Sequence, residues 1–186
     1  EAQAALTMIQ NSQVPDRNLL KKKLSQGQSL VEILGWHEKG LQTFASLGEE
    51  LLMPTKIYVP EILDMINKGI ELKGIAHITG DGFLNLPRLE ADVGYVIDKL
   101  PESPPIFQMI QQMGSLSSQE MFEIFNMGIG LCLVVPENEV PQVVETAKAK
   151  GTGIHQIGFV VEDSSRRVTL NQFGISGCRG EGFSRL

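Results

Sequence analysis

The sequence has few of the residues that hold small secreted folds together, and it has no segment long enough to cross a membrane. Only two of its 186 residues are cysteines, Cys132 and Cys178, which is too few for a disulfide scaffold. No apolar run approaches the length of about 18 residues that a membrane-spanning helix needs. No signal-peptide pattern opens the chain. We therefore expect a cytoplasmic protein with no membrane partner.

The chain also lacks the patterns of a metal site and of a nucleic-acid-binding surface. No spacing of His, Cys or carboxylates matches zinc ligation, so we predict no metal site. The 16 Lys and Arg residues against 22 Asp and Glu residues give a net charge of -6. Nucleic-acid binders usually carry net positive charge, so we expect no nucleic acid as a partner. The first residue is Glu1 rather than Met, which indicates a fragment or a processed protein.

The sequence does contain enough apolar residues for a core, 42% of the chain, and clear element boundaries from residue 60 onward. Prolines, glycines and the S-x-x-E capping box of Ser117 and Glu120 mark these boundaries. The pattern predicts helices over 60–68, from 85 onward, 104–113, 117–125 and 138–150, and strands over 73–79, 93–98, 130–135, 155–161 and 167–173. A short polar stretch at 163–166 predicts that the last two strands form a hairpin.

This order of elements predicts an α+β domain with a mixed β-sheet covered by helices. A doubly wound parallel sheet is disfavoured, because the last two strands are joined too tightly to be parallel. Residues 1–46 contain helix-favouring stretches but no repeat and no catalytic pattern. We predict a helical N-terminal segment over 1–46, whose role the sequence does not indicate, and a separate domain over 47–186.

The most informative stretch joins the first predicted strand to a glycine-containing turn. Alternation along a strand places His77 and Thr79 on the same side, just before the turn. Glycines in such a turn let backbone N–H groups converge on an anion, and a helix that begins nearby favours phosphate. The candidate binding residues here are His77, Thr79, Gly80, Gly82, Asn85 and Arg88. A tight strand-to-helix turn with a structural histidine explains the same residues, and the pattern alone leaves both interpretations open.

A second candidate stretch lies where the capped helix runs into the third strand. It offers the amide of Asn126 and two spaced glycines, Gly128 and Gly130, as another backbone approach to a ligand. The alternative is a helix end followed by an irregular strand entry. We predict that this segment and the turn after His77 face one cleft, and that the cleft receives a ribose phosphate.

Several linked motifs, in this order along the chain, resemble one known family. They are residues 47–58 (LGEELLMPTKIY), 76–80 (AHITG), 85–88 (NLPR), 104–107 (PPIF), 125–130 (FNMGIG) and 157–158 (IG). With them, residues 47–186 resemble the C-terminal domain of the phosphoribosylformylglycinamidine cyclo-ligases, also called aminoimidazole ribonucleotide (AIR) synthetases. The resemblance implies the fold of that domain.

The resemblance also implies an activity. The family uses ATP, with Mg²⁺, to close formylglycinamidine ribonucleotide into aminoimidazole ribonucleotide during purine biosynthesis. The implied partners are a phosphoribosyl substrate and an N-terminal ATP-binding domain, whose motifs this sequence lacks. We therefore expect no cofactor and no catalysis by this chain alone. A homodimer is one assembly that the resemblance leaves open.

The sequence departs from the family pattern at three points. Asp81 interrupts the run of three glycines that the family carries after the threonine, and we predict that its carboxylate is exposed or faces a metal rather than being buried against apolar groups. The usual acidic residue before Asn85 is missing, and Lys56 stands where arginine is usual. Two alternatives to a cyclo-ligase follow: a related ATP-using synthetase with a different substrate, and a stand-alone binding or regulatory domain of the same superfamily.

Overall fold

The computed structural model describes residues 51–52 and 54–186 of the chain. The predicted helical segment 1–46 lies outside the described residues. The described helices are α1 Val59–Asn67, α2 Pro105–Gly114, α3 Ser118–Ile124 and α4 Val140–Ala149, with 3₁₀ helices at Gly82–Leu89, Glu137–Glu139 and Asn171–Phe173. The strands are β1 Gly74–His77, β2 Val93–Ile97, β3 Leu131–Val134, β4 Gly158–Glu162, β5 Val168–Leu170, β6 Ile175–Cys178 and β7 Gly182–Arg185. In the described part of the chain, no helix is long and apolar enough to cross a bilayer.

The strands form two sheets that share one core. Five of them make a mixed sheet in the order β4-β2-β5-β6-β7, in which only the β2–β5 pair is parallel. The other two, β1 and β3, pair antiparallel. The main core packs the inner face of the large sheet against the small sheet, the first 3₁₀ helix and α3. Its largest fully buried side chains include Phe83, Phe122 and Ile78. The predicted α+β class with a mixed sheet and helices is confirmed.

The local signals at helix ends are found where the sequence places them. Ser117 Oγ accepts a hydrogen bond from the Glu120 N–H at 3.2 Å, and Glu120 Oε2 accepts from the Ser117 N–H at 2.7 Å. These bonds from Ser117 hold the pKa of Glu120 below its usual value. Pro60 lies in the first turn of α1 and Pro105 begins α2, where a missing N–H is tolerated. The capping box and both proline-led helices are therefore confirmed.

The predicted hairpin between the last two β-rich runs is wrong. Strand β2 lies between β4 and β5 and pairs with both. The connection from 163 to 167 crosses the end of β2, where the Arg166 guanidinium bonds Asp92 Oδ1 at 2.8 Å. The Tyr95 N–H in β2 donates to the Arg167 carbonyl at 2.8 Å, so the pairing of β5 with β2 begins directly after this connection. The short polar linker at 163–166 predicts that β4 and β5 pair with each other. It is, however, long enough to cross over the one strand that lies between them.

Two further segments differ from expectation. The glycine-rich tail, which shows no strand pattern in the sequence, forms the β6–β7 hairpin. The helix expected from Asn85 begins instead at Gly82, is a 3₁₀ helix, and contains Pro87 in its interior. Its N-terminal neighbour Asp81 and its C-terminal neighbour Glu90 both have positive φ, so the whole segment is a tight insertion between β1 and β2. Cys132 is buried, as its apolar neighbours in the sequence predict.

Candidate functional site

The pairing of β1 with β3 brings the two glycine-containing stretches together. The register aligns His77 with Leu131, and one step further the Ile78 N–H donates to the Gly130 carbonyl at 2.9 Å. The chain therefore leaves β1 into the turn at 79–82 beside the point where 126–130 enters β3. The two stretches lie next to each other, as the sequence-based hypothesis of one cleft requires.

Side-chain directions along β1 follow the predicted alternation. Ala76 and Ile78 are buried in the main core, whereas Ile75, His77 and Thr79 are exposed on the other side. His77 and Thr79 thus point toward solvent from the same side of the strand. The imidazole and the hydroxyl are both accessible to a ligand at this end of the small sheet.

Asn85 is buried, and its side chain holds the turn at 79–82 through hydrogen bonds to the backbone. Its side chain is only 1% exposed, and its Nδ2 donates to the carbonyls of Gly80 at 2.7 Å and Gly82 at 2.8 Å. Its Oδ1 accepts from Arg88 Nη1 at 3.1 Å. The hydrogen-bonding groups of the Asn85 amide are therefore occupied within the turn. Asn85 acts as a positioning residue for the turn, and Arg88 lies exposed at its edge.

The two glycines of the turn, Gly80 and Gly82, differ in whether the surrounding structure leaves room for a side chain. Gly82 is buried with φ +50°, and a Cβ there would overlap the carbonyl oxygen of Phe122 in α3. Gly80 is exposed, its φ is not in the left-handed region, and a Cβ there would meet nothing within 4 Å. Packing thus explains Gly82, whereas nothing in the described part of the chain requires glycine at position 80. Between them, Asp81 has φ +73° and is exposed, as predicted.

The second stretch is a tight turn held by Asn126. The Asn126 Oδ1 accepts from the Gly128 N–H at 3.0 Å, and its carbonyl accepts from the Ile129 N–H at 2.9 Å. Met127 and Gly128 between them have φ of +51° and +93°. The Asn126 oxygens therefore stabilise the turn locally.

Tyr58 is a site residue that the sequence analysis did not single out. Its hydroxyl lies where a Cβ on Gly130 would stand, so glycine at 130 makes room for it. Its ring meets the His77 imidazole edge-on, with centroids 6.4 Å apart and planes at 65°. Tyr58, His77 and Gly130 thus form one cluster beside the turn. Tyr58 belongs to the motif at 47–58, but no spacing rule relates it to His77.

A polar network fixes the segment that carries Tyr58. Lys56 Nζ donates to Thr152 Oγ1 at 2.6 Å and lies 3.4 Å from Glu61 Oε1, and the Thr152 hydroxyl donates to that same carboxylate oxygen. The Thr152 hydrogen bond, with help from Lys56, holds the pKa of the buried Glu61 below its usual value. Lys56 Nζ is also 5.8 Å from the Tyr58 ring centroid. The network ties the segment before α1 to the loop after α4.

The arrangement offers hydrogen-bond donors to an anion rather than ligands to a metal. The exposed imidazole of His77, the hydroxyl of Thr79 and the guanidinium of Arg88 can all donate. Within residues 51–52 and 54–186, no group of three or more His, Cys, Asp or Glu side chains is placed to hold a metal ion. A separate surface cavity of about 520 Å³ is lined by residues that include Lys99, His155 and Phe159, and none of the predicted site residues lines it.

Comparisons with known proteins agree with the resemblance. The sequence model of a family described as AIR synthase related protein, C-terminal domain, matches residues 23–171. The chain is 48% identical over 117 residues to a phosphoribosylformylglycinamidine cyclo-ligase of Methanococcus maripaludis strain C7, a match that covers 63% of this chain and 33% of the relative. A cyclo-ligase of Methanocaldococcus jannaschii is also 48% identical, over 118 residues, covering 63% of this chain and 34% of that protein.

The matches also include a more distant relative and solved structures. The cyclo-ligase of Methanothermobacter thermautotrophicus is 41% identical over 137 residues, covering 74% of this chain and 38% of that protein. The crystal structure of the protein tt0281 from Thermus thermophilus has a TM-score of 0.48 and 23% identity, covering 82% of this chain and 45% of that chain. The chain spans about a third of the length of the curated relatives it matches.

Proposed function

The chain belongs to the family of AIR synthase related protein C-terminal domains, and from this premise we propose that it is the substrate-side domain of an ATP-dependent cyclo-ligase of purine biosynthesis. The proposed substrate is formylglycinamidine ribonucleotide, and the product is aminoimidazole ribonucleotide. The role proposed for this chain is to hold the ribose phosphate of the substrate. The observation that carries the proposal is the β1–β3 pairing, which brings the turn after His77 beside Gly130.

We propose that a small number of groups bind the phosphate of the substrate. Thr79 offers a hydroxyl, and Gly80 leaves space for a ligand to approach the backbone. Arg88 adds a positive charge at the edge of the turn, and hydrogen bonds from charged donors to phosphate are among the stronger ones. Asn85 and Gly82 contribute by fixing the shape of the turn. His77, edge-on to Tyr58, supplies an imidazole next to the same turn.

ATP and Mg²⁺ belong to the whole enzyme in this proposal. The described residues do not fit a magnesium site, because they bring no carboxylate cluster together. No step through either group is therefore derived for this chain. The ATP-binding domain that the family resemblance implies would supply the phosphoryl donor, and this chain would position the nucleotide that accepts it.

Isothermal titration calorimetry of the 186-residue chain tests the proposal. We expect binding of formylglycinamidine ribonucleotide and no binding of ATP. Thr79→Val keeps the side-chain shape and removes only the hydroxyl, so the affinity should fall about 10- to 100-fold. Thr169→Val is the matched control, because Thr169 lies on β5 and bonds Ser176 instead. Absence of heat with the ribonucleotide, or equal affinities in wild type and Thr79→Val, would overturn the proposal.

Asp81 favours a second candidate, a synthetase of the same superfamily that acts on a different substrate. Its exposed carboxylate stands in the turn that the first proposal assigns to a phosphate, and two negative charges repel each other. Titration with ribose 5-phosphate and with ribose separates the two candidates. A preference for the phosphorylated sugar supports the cyclo-ligase, and a preference for the uncharged sugar supports the second candidate.

A further inference from the structure

A surface cavity of about 520 Å³ lies where strand β2 ends and strand β4 begins. Its walls come from the segments 98–101 and 154–159. None of the residues predicted for the substrate site lines it. Cavities of about 300–1,000 Å³ are usual for small-molecule sites, so this one has the size of a second binding site.

Backbone contacts hold the two walls of this cavity together. The N–H groups of Asp98 and Lys99 both donate to the Ile157 carbonyl, each at 3.1 Å. A Cβ on Gly158 would overlap the Val96 carbonyl oxygen, so the backbones of β2 and β4 approach closely beside the cavity. The cavity is therefore formed before any ligand arrives, and binding loses little free energy to the ordering of its walls.

Two oppositely charged side chains that are consecutive in the chain, Asp98 and Lys99, line the cavity. Both are exposed, and neither forms an ion pair within residues 51–52 and 54–186. The imidazole of His155, also exposed on the wall, is a further hydrogen-bond donor. This set matches the head of a free amino acid, in which an ammonium and a carboxylate group are attached to a single carbon.

Apolar side chains also line the cavity, and one of them is an aromatic ring. Phe159 is 54% exposed, which leaves much of its ring open to a ligand. Leu100, Pro101 and Ile154 line the same cavity and are half-buried. An aromatic ligand packs well against such a wall, because two rings attract each other in offset or edge-to-face contact.

We propose that this cavity binds a free amino acid with an aromatic side chain. The Asp98 carboxylate accepts from the ammonium group of the ligand, and Lys99 and His155 donate to its carboxylate. The ligand's ring packs on Phe159. A nucleotide is disfavoured, because its phosphate brings further negative charge toward the Asp98 carboxylate with no ammonium group to balance it. The site shares no residue with the turn at 79–82, so it and the proposed function can fail independently.

Isothermal titration calorimetry of the 186-residue chain with L-phenylalanine tests the proposal. We expect a dissociation constant below about 1 mM. Two analogues each remove one charge of the ligand's head: 3-phenylpropionate lacks the ammonium group, and phenethylamine lacks the carboxylate. Each should bind at least about tenfold more weakly than L-phenylalanine, because one charge-assisted contact is lost.

Variants of the two charged residues assign each contact. Lys99→Met removes the charge and keeps the length of the side chain, so it should weaken L-phenylalanine at least about tenfold without weakening phenethylamine. Asp98→Asn should weaken L-phenylalanine similarly without weakening 3-phenylpropionate. Lys73→Met is the matched control and should bind like the wild type, because Lys73 pairs with Glu71 and does not line the cavity.

Circular dichroism checks that each variant keeps the fold. Formylglycinamidine ribonucleotide should bind wild type and Lys99→Met equally, and a loss of its affinity in Lys99→Met would overturn the separation of the two sites. Absence of L-phenylalanine binding at millimolar concentration overturns the proposal, as does an affinity that both charge variants leave unchanged. Tighter binding of adenosine 5′-monophosphate than of L-phenylalanine, lost in Lys99→Met, overturns the assigned ligand class.

Discussion

The hydroxyl of Tyr58 occupies the space into which a side chain at Gly130 would project. This relationship joins the segment before α1 to the entry of β3, and it holds the phenol ring against the His77 imidazole. The obstacle to a Cβ is the tip of a side chain rather than backbone. A larger residue at 130 would therefore displace Tyr58 and leave the sheet in place.

Gly130→Ala should move the Tyr58 ring away from His77 while lowering the free energy of unfolding by less than about 1 kcal/mol. The His77 imidazole resonances should shift in the NMR spectrum, because the edge-on aromatic contact is lost. Tyr58→Phe keeps the ring and should leave those resonances nearly in place. Unchanged His77 resonances in Gly130→Ala would contradict the arrangement.

Gly80→Ala and Gly82→Ala should separate a binding glycine from a packing glycine. Gly82→Ala forces a Cβ onto the Phe122 carbonyl at positive φ, so we expect the free energy of unfolding to fall by more than about 2 kcal/mol. Gly80→Ala meets open space and should change it by less than about 0.5 kcal/mol. Urea denaturation measures both. Equal losses would show that the turn tolerates no side chain at either position.

Asp81→Asn should strengthen binding of a phosphorylated ligand about two- to fivefold, because it removes an exposed negative charge from the turn. The amide keeps the size of the side chain and tolerates the left-handed conformation at φ +73°. Calorimetric titration at low and high salt checks the effect, which should shrink as salt screens the charge. An affinity that does not respond to the substitution would place the phosphate elsewhere.

Thr152→Val should destabilise the chain in a pH-dependent way. The pKa of Glu61 is held low mainly by the Thr152 hydrogen bond, so this network stabilises the fold above the pKa that Glu61 has when unfolded. That stabilisation is lost as pH falls through the lowered pKa. The variant should lose about 1–2 kcal/mol at neutral pH, with a gap to wild type that narrows in acid.

Thr169→Val serves as the control for this pH dependence. Thr169 bonds the Ser176 hydroxyl and no carboxylate, so its gap to wild type should stay constant with pH. Urea denaturation from neutral to acid pH measures both gaps. A Thr152→Val gap that widens in acid would contradict the assignment.

Alkylation with iodoacetamide should distinguish the two cysteines. Burial raises the pKa of Cys132 to about 12, and its side chain packs in the main core. Cys178 is only half-buried, although burial also raises its pKa. Because the thiolate is the reactive form, Cys178 should be labelled first and Cys132 only when the chain unfolds. Mass spectrometry of the timed reaction decides this, and early labelling of Cys132 would contradict the core packing.

Elements set by local chemistry could be predicted from the sequence, and strand partners could not. The capping box at Ser117 and the proline at the start of α1 act through neighbouring residues, so their positions are visible in the pattern. The insertion of β2 between β4 and β5 depends on pairings between residues far apart in the chain, such as Tyr95 with Val160 and with Val168, which no periodicity encodes. The β6–β7 hairpin has no clear sequence pattern because its strands are short and contain glycine.

The candidate site shows the same division. The outward side of β1 follows from strand alternation, so the exposure of His77 and Thr79 could be predicted. The role of Asn85 in holding the turn could not be predicted, because the sequence does not show whether a polar residue near such a turn is buried or faces a ligand. Tyr58 could not be found either, since only the folded chain brings it over Gly130.

The position of β2 also governs when this domain can form during synthesis. Both neighbours of β2 come from much later in the chain, β4 on one side and β5 on the other. A nascent chain that has emerged only as far as α4 therefore exposes β2 with neither edge paired, and Tyr95 and Ile97 await the strands that complete their side of the core. The large sheet can therefore close only after β4 and β5 have been synthesised, and until then the emerging chain exposes apolar surface that favours aggregation.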